Sequence, residues 1–431
     1  MKICILGGGL AGLSAAYHLR DKDYFLLEKE NKVGGLCSSK KINDYTFDYA
    51  PHILFTNDDY VKDLILNLLG KNLVEKERRA YIYTNGVFVK YPFEANLRPL
   101  PKEIIEECIN GVIEIEKIEP KNFKEWIYST FGKGIAKYYM ESYNEKIWKY
   151  DLDKINLDWV GSRVPSPSVE DMRKGAFGKQ RKEFGPNAKF LYPKYGGIGA
   201  LSESFLSHIK NLSLGSEVTE IKFDDDEIVV VFKTNEKTKK MNCRRIFSSL
   251  PLPELIKMIP NVPEDVIKAA KNLIFNSLIC FNLGVKRPKI SDKHWVYFPE
   301  KEFIFHRISF PMNLSRFTTP EKRSSMLVEI THKKDEELMI DEVKEKVIGN
   351  LIDAKIIRKD NELEVCDICK FKYAYVIYDP DHRKNVTTIH NFLKEKNIIP
   401  IGRFGEWEYI NMDKSILSGK KAAMELNEGI E

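Results

Sequence analysis

Three glycines and one acid carry the first chemical signal in this sequence. Gly7, Gly9 and Gly12 hold the register G-x-G-x-x-G within Gly7-Gly8-Gly9-Leu10-Ala11-Gly12, and Glu28 follows about 20 residues after the first of them. Each residue type answers a need. Gly7 allows a tight turn, Gly9 lets the backbone approach a pyrophosphate, and Gly12 lets a helix pack closely on a strand. Leu10 and Ala11 stand where that helix opens, and its free N–H groups and positive dipole end favour the pyrophosphate. A carboxylate at Glu28 hydrogen-bonds a ribose hydroxyl and disfavours a 2′-phosphate, so it serves NAD or FAD alike.

These residues need elements to position them, and the flanking sequence supplies them. Lys2-Ile3-Cys4-Ile5-Leu6 reads as an apolar strand, Leu13 to Arg20 as a helix, and Tyr24 to Leu27 as the next strand, which ends at Glu28. This is the strand–turn–helix–strand setting in which the glycine pattern means dinucleotide binding rather than a surface turn. Further on, Asp59 to Leu69 has helical apolar spacing, and Ala80 to Val89 reads as a hairpin around Asn85-Gly86, a type I′ turn signal. Lys102 to Glu183 reads as mostly helical, with Trp126, Tyr138, Tyr139, Tyr143 and Trp148 read as core. Ala200 to Lys210 and Asp413 to Asn427 read as helices, and Glu217 to Phe232 as a hairpin over Asp224-Asp225-Asp226, a solvated turn. From Leu278 to Ile377 strands alternate with one long helix, Lys334 to Asp353.

Composition narrows the class. The 431 residues suffice for two or three domains, and 43% hydrophobic with 30% charged residues is ordinary for a globular enzyme. The formal charge of +5 comes from dispersed basic residues, which does not point to nucleic acid. Seven widely spaced cysteines form no disulfide framework and suit a reducing cytoplasm. Cys366-Asp367-Ile368-Cys369 lacks a second pair or a histidine at zinc spacing, so no metal site is expected. A strand starting at residue 2 leaves no room for a signal peptide, and no apolar run approaches the roughly 18–20 residues of a membrane span. Peripheral membrane contact stays open.

Several segments together resemble the FAD-dependent amine oxidase and protoporphyrinogen oxidase superfamily, nearest to its UDP-galactopyranose mutase-like flavoproteins. Glu28-Lys29-Glu30-Asn31-Lys32-Val33-Gly34-Gly35-Leu36 is similar to the E-x(5)-GG extension of those FAD proteins, which favours FAD over NAD. Ala50-Pro51-His52-Ile53-Leu54-Phe55-Thr56-Asn57 resembles the mutase stretch G-A-H-I-F-H-T-N. Trp148 with Arg163-Val164-Pro165 resembles its W…R-I/L-P. Gly402-Arg403 with Tyr409-Ile410-Asn411-Met412-Asp413 resembles its C-terminal flavin signature, and Pro92-Phe93 with Asn96-Leu97 its proline-rich loop.

What the resemblance implies is a non-covalent FAD, held by the residues above together with Val218, Gly402, Arg403, Asn411 and Met412. His52 would lie against the flavin ring and tune it. Phe305-His306-Arg307-Ile308 resembles Y-T-R-I, which makes Arg307 a candidate diphosphate clamp with bidentate geometry. Lys194, Arg403, Asn96, Tyr378 and Tyr409 complete the implied substrate side, with His52, Arg307 and Lys194 nearest the chemistry. Two departures stand out: Lys194 replaces an arginine, and Arg323-Ser324-Ser325-Met326-Leu327 replaces a tyrosine-bearing E-Y-R-T segment.

The expected architecture is α/β. A discontinuous Rossmann-type FAD-binding domain takes residues 1–60, 190–277 and 396–431. A largely helical, substrate-covering insertion takes 61–189, and an antiparallel sheet plus helix takes 278–395. The implied activity is isomerisation of a nucleotide-activated sugar through reduced flavin, with NAD(P)H as a possible external reductant. The alternative is a true oxidoreductase removing hydride from an amine, a tetrapyrrole or an isoprenoid. That alternative would need an apolar or aromatic tunnel rather than a basic pocket.

Overall fold

The structure, a computed structural model, describes residues 2–19, 21–115, 118–161, 168–178, 187–224 and 227–427. Strand Ile3–Leu6 is the centre of a five-stranded parallel sheet. The order is Ile398–Pro400, Arg245–Ser248, Ile3–Leu6, Tyr24–Leu27, Leu212–Ser213. All four residues of the central strand are buried, as a parallel strand covered on both faces requires. Its neighbours come from positions far along the chain, so the sheet is assembled from discontinuous sequence. The last helix, Met412–Asn427, packs directly on the first, Leu10–His18: Ser14 Oγ donates to the Ile416 carbonyl at 2.6 Å. A three-stranded antiparallel meander, Ser216–Asp224, Glu227–Thr234 and Lys237–Cys243, stands beside it.

A second, seven-stranded sheet runs in the order Leu363–Val376, Phe275–Val285, Ser324–Lys333, Arg307–Ser309, Trp295–Tyr297, Ala80–Thr84, Val87–Lys90. Its neighbours are antiparallel except where Trp295–Tyr297 meets Ala80–Thr84. All 11 residues of Phe275–Val285 are buried. Helix Ile340–Asp353 covers one face with Val343, Val347 and Leu351. The hairpin Ala80–Lys90, within the segment expected to be largely helical, thus completes the sheet that residues 275–376 begin. Asn85 and Gly86 both have positive φ, the geometry of a type I′ turn.

The helical layer contains Lys102–Ile113, Phe123–Ile135, Glu141–Trp148 and Val169–Ala176. A π segment, Ala136–Met140, joins the second to the third. Such insertions re-aim side chains and cluster at functional sites; here Tyr139 and Tyr143 stack with ring centroids 5.6 Å apart.

Two helices are shorter than expected. The helix expected from Lys334 begins at Ile340, because Glu336 Oε2 accepts from the Lys333 N–H at 3.1 Å and holds a turn there. The helix after Gly199 ends at Ser204 and tightens into a 3-10 turn, Phe205–His208. Arg163-Val164-Pro165 and Asp225-Asp226 lie outside the described residues. No described helix is long and apolar enough to cross a membrane.

Candidate active site

The glycine turn and Glu28 meet at the carboxyl edge of the parallel sheet. Glu28 Oε2 accepts from the Gly8 N–H at 2.6 Å and Oε1 from the Glu30 N–H at 2.9 Å. Burial raises the pKa of Glu28, while these two amides pull it back down. Gly34 pairs with Gly9 and donates its N–H to the Gly8 carbonyl at 2.8 Å, which brings the exposed Gly35 and the half-buried Leu36 alongside the turn. A Cβ on Gly12 would lie 2.0 Å from the Gly7 carbonyl, whereas one on Gly9 would meet nothing within 4 Å. Gly12 is therefore needed for packing, and Gly9 presents bare backbone to open space. Leu10 and Ala11 are buried at the helix start. Val218 lies two residues beyond Ser216, whose N–H donates to the Glu28 carbonyl at 2.8 Å. An open glycine at a helix N-terminus, with a buried acid beside it, fits the pyrophosphate and ribose of FAD.

The C-terminal segment reaches the same place. Gly402 has φ +72°, and a Cβ there would lie 2.6 Å from the Ala11 side chain. Asn411 accepts from the Ser415 N–H at 3.0 Å at the start of the closing helix, and Met412 Sδ lies 3.6 Å from Cys37 Sγ. Thr56 Oγ1 donates to Asp413 Oδ2 at 3.2 Å, which ties the His52 segment to that helix. His52 Nδ1 lies 2.7 Å from the Ala50 carbonyl, which can only accept, so Nδ1 carries the proton and Nε2 keeps a lone pair. Burial, with Arg403 and Arg307 adding like charge, lowers the pKa of His52 to about 4.

The two guanidinium groups that act on His52 are themselves accompanied by a set of phenols. Arg307 faces Glu329 across adjacent strands; its Nη2 donates to Oε1 at 2.7 Å and its Nε to Oε2. Glu329 is fully buried, so this fork-to-fork pair offsets much of the Arg307 charge. Arg403 Nη2 donates to the Ala374 carbonyl at 2.7 Å, and its guanidinium lies 4.8 Å from the Tyr409 ring and 5.3 Å from that of Tyr375. Tyr91, Tyr297, Tyr143 and Tyr139 form a run of ring contacts at 5.7, 5.2 and 5.6 Å. Trp148, Tyr375 and Tyr409 pack together on another side. Arg307 acts electrostatically on Tyr143, Tyr297 and Tyr375.

Among the described residues no hydrogen bond joins the hydroxyls of Tyr91, Tyr139, Tyr143 or Tyr375 to a protein group, and none of these oxygens is sealed from accessible space. Burial raises the pKa of all four phenols, so they keep their protons. Four hydroxyls that reach accessible space without a protein partner can bond a polar occupant in place of water. A separate surface groove of about 730 Å³, lined among others by Lys124, Glu141, Lys149, Asp151 and Lys333, holds none of these groups. Its charges partly neutralise one another, as in the Lys124–Glu141 pair at 2.8 Å.

The other expected substrate residues occupy different settings. Tyr378 is buried, stacks on His382 at 4.1 Å, accepts from the Tyr409 N–H at 2.8 Å and donates to Glu408 at 2.5 Å. It shapes the turn that presents Tyr409. Asn96 Nδ2 donates to the Pro92 carbonyl at 2.9 Å and closes its own loop. Lys194 follows strand Lys189–Pro193, and its carbonyl accepts from Ser315 Oγ at 2.6 Å; no described contact joins its ammonium to His52 or Arg307. The grouping of Tyr91, Tyr139, Tyr143 and Tyr297 escaped sequence reasoning, because tyrosines at helical or strand spacing read as core. The one available signal was their number.

The family model of flavin-containing amine oxidoreductases matches residues 10–427. The chain belongs to that family. This flavoenzyme is therefore FAD-dependent, and the residues at the glycine turn fit the cofactor as described. A curated 4,4′-diapophytoene desaturase of Staphylococcus aureus (strain MRSA252) is 36% identical over 88 residues, covering 19% of this chain and 17% of the desaturase. The matched stretch is thus less than a fifth of that relative. Among solved structures, reduced UDP-galactopyranose mutase superposes with a TM-score of 0.92 at 24% identity, covering 99% of this chain and 94% of the other. A protein described as a putative protoporphyrinogen oxidase, from Exiguobacterium sp. 255-15, gives 0.77 at 15% identity, with 99% of each chain covered. Putrescine oxidase gives 0.68 at 14%, also with 99% of each covered. At these identities the likeness is one of fold.

Proposed function

We propose that this flavoenzyme acts on a nucleotide-activated sugar, as a UDP-galactopyranose mutase-like isomerase working through reduced FAD. The observation that carries the reading is the run of unpaired phenol hydroxyls associated with Arg307 and Arg403, the two cations that also act on His52. An apolar isoprenoid would leave those hydroxyls unsatisfied, at about 1–3 kcal/mol for each buried group. Sugar hydroxyls and diphosphate oxygens satisfy them. Bound FAD supplies nucleophilic and redox chemistry that no side chain here offers.

The chain's own residues divide the remaining work. Gly7, Gly9, Leu10, Ala11, Gly12, Glu28, Gly34, Gly35, Leu36 and Val218 hold the adenosine diphosphate half. Gly402, Arg403, Asn411 and Met412 hold the ring end, where the helix dipole at Met412 favours negative charge. His52 offers a lone pair at Nε2 and, being neutral at pH 7, can accept a proton but has none to give there. Arg403 is the main cation for an anionic substrate, with Arg307 contributing its free Nη1 face and Lys194 in reserve at the rim. NAD(P)H is the proposed external reductant.

A hydride-removing oxidoreductase is the second reading, favoured by the aromatic density of the cleft and the desaturase-like stretch. One experiment separates the two. Dithionite-reduced protein is mixed anaerobically with UDP-galactopyranose or UDP-galactofuranose, and interconversion is the expected result. No interconversion, together with rapid reduction of the oxidised flavin by an amine or porphyrinogen, would overturn the isomerase.

A further inference from the structure

Glu94 is an acid where the local sequence wants a hydrocarbon. It sits in the 3-10 turn Phe93–Ala95, between two fully buried neighbours, and is itself only 2% exposed. No cation meets it: among the described residues the only polar group acting on its carboxyl is its own backbone N–H. Burial pushes its pKa up to about 8, so the group is a neutral acid at pH 7. The preceding residue, Phe93, packs its ring 5.4 Å from that of Tyr139, and Tyr91 lies three residues before Glu94 on the same loop, so the acid sits beside both phenols; its charge, when present, acts on each. An unpartnered buried acid costs stability that an apolar side chain of the same size would not.

We propose that Glu94 is a specificity-determining residue that binds the uncharged, hydroxyl-bearing part of the ligand, donating to one hydroxyl and accepting from another beside Tyr91 and Tyr139. The inference rests on the nucleotide-sugar reading. It orients the ligand: the glycosyl hydroxyls lie toward Glu94, and the diphosphate lies toward Arg403 and Arg307. A cationic amine is the competing occupant, since it would pair with ionised Glu94. Arg78 opposes this, because its guanidinium lies 4.8 Å over the Tyr91 ring and already supplies a positive charge there.

The test compares Glu94→Gln and Glu94→Leu with wild type, each as FAD-loaded, reduced protein, titrated with UDP-galactopyranose, UDP and putrescine. Glu94→Gln keeps a donor and an acceptor without charge, so UDP-galactopyranose affinity is expected within about threefold of wild type. Glu94→Leu loses two hydrogen bonds and should weaken UDP-galactopyranose about tenfold or more, with UDP within about twofold. Its melting temperature should equal or exceed that of wild type, since a functional acid has been replaced by a better core residue. Unchanged UDP-galactopyranose affinity in Glu94→Leu overturns the assignment, as does a lowered melting temperature with unchanged affinity. Putrescine binding by wild type that Glu94→Gln abolishes overturns it in favour of an amine site. Wild type that binds neither UDP nor UDP-galactopyranose refutes the nucleotide-sugar reading itself, and the assignment falls with it.

Discussion

Substituting Gly9 should separate cofactor binding from folding. Gly9 has φ −72° and ψ 176°, a conformation open to any L-residue, and a Cβ there meets no protein atom within 4 Å. Gly9→Ala should therefore change the stability of the cofactor-free protein by no more than about 0.5 kcal/mol. The new methyl group would occupy the space through which a pyrophosphate approaches the backbone. Losing one charge-assisted N–H···O bond costs about 1.5–3 kcal/mol, so FAD affinity should fall by roughly 10- to 100-fold. Gly12→Ala provides the contrast. Its Cβ would stand 2.0 Å from the Gly7 carbonyl, so the helix must move and the protein should be destabilised with or without FAD. The assay is urea denaturation of the cofactor-free protein, paired with FAD titration by flavin fluorescence. Gly9→Ala with wild-type FAD affinity, or with cofactor-free stability lowered by more than about 1 kcal/mol, would refute the placement of the pyrophosphate.

Three more predictions follow from buried charge and a strained turn. Glu329→Gln should cost about 3–5 kcal/mol by leaving the Arg307 guanidinium without its buried partner, whereas Arg307→Met with Glu329→Leu should recover most of that loss; a single-variant cost below about 1 kcal/mol in urea unfolding would reject the pair's importance. Asp48 is buried, accepts from Ser39, Tyr192 and the Ile198 N–H, and has its pKa raised by burial from 3.8 to about 6. Because the folded pKa is the higher one, this stabilisation is complete below pH ~4 and is lost as pH rises through ~6, by about 3 kcal/mol. Asp48→Asn should flatten that slope, and an unchanged slope would contradict the assignment. Gly402→Ala forces a left-handed conformation costing about 1–2 kcal/mol and drives a methyl against Ala11, so it should lower both stability and FAD retention; wild-type values of both would refute the tail's contact with the first helix.

The parts of this molecule that were legible in sequence are those where backbone chemistry dictates residue type. A tight turn, a close helix–strand approach and a ribose acid demand glycines and a carboxylate at nearby positions, so Gly7 to Glu28 could be read directly. The hairpin at Asn85-Gly86 was visible for the same reason. Arg307 was visible as a charged residue, but its bond to Glu329 depends on register between strands and has no local signature. The tyrosine cleft was hidden for a different reason. Tyr91, Tyr143 and Tyr297 come from a strand end, a helix and another strand, and tyrosine suits a core as well as a site. The π segment that turns Tyr139 and Tyr143 together is one residue of extra winding that apolar periodicity does not reveal. Glu94 was the most readable of the missed residues: a lone acid between Phe93, Ala95 and Leu97 breaks the apolar pattern.

The contact between the first and last helices has a consequence for biosynthesis. Ser14 is bonded to Ile416, and strand Ile3–Leu6 is joined through Arg245–Ser248 to Ile398–Pro400. The glycine turn leaves the ribosome hundreds of residues before the strands and the helix that flank and cover it. At about 5–20 residues per second, the early segment waits tens of seconds for its partners. During that interval its apolar strand and bare helix N-terminus are exposed to chaperones and to other nascent chains. Cofactor capture thus waits for these later segments, and a chain that stalls before about residue 400 should be unable to retain FAD however well its first 35 residues are formed.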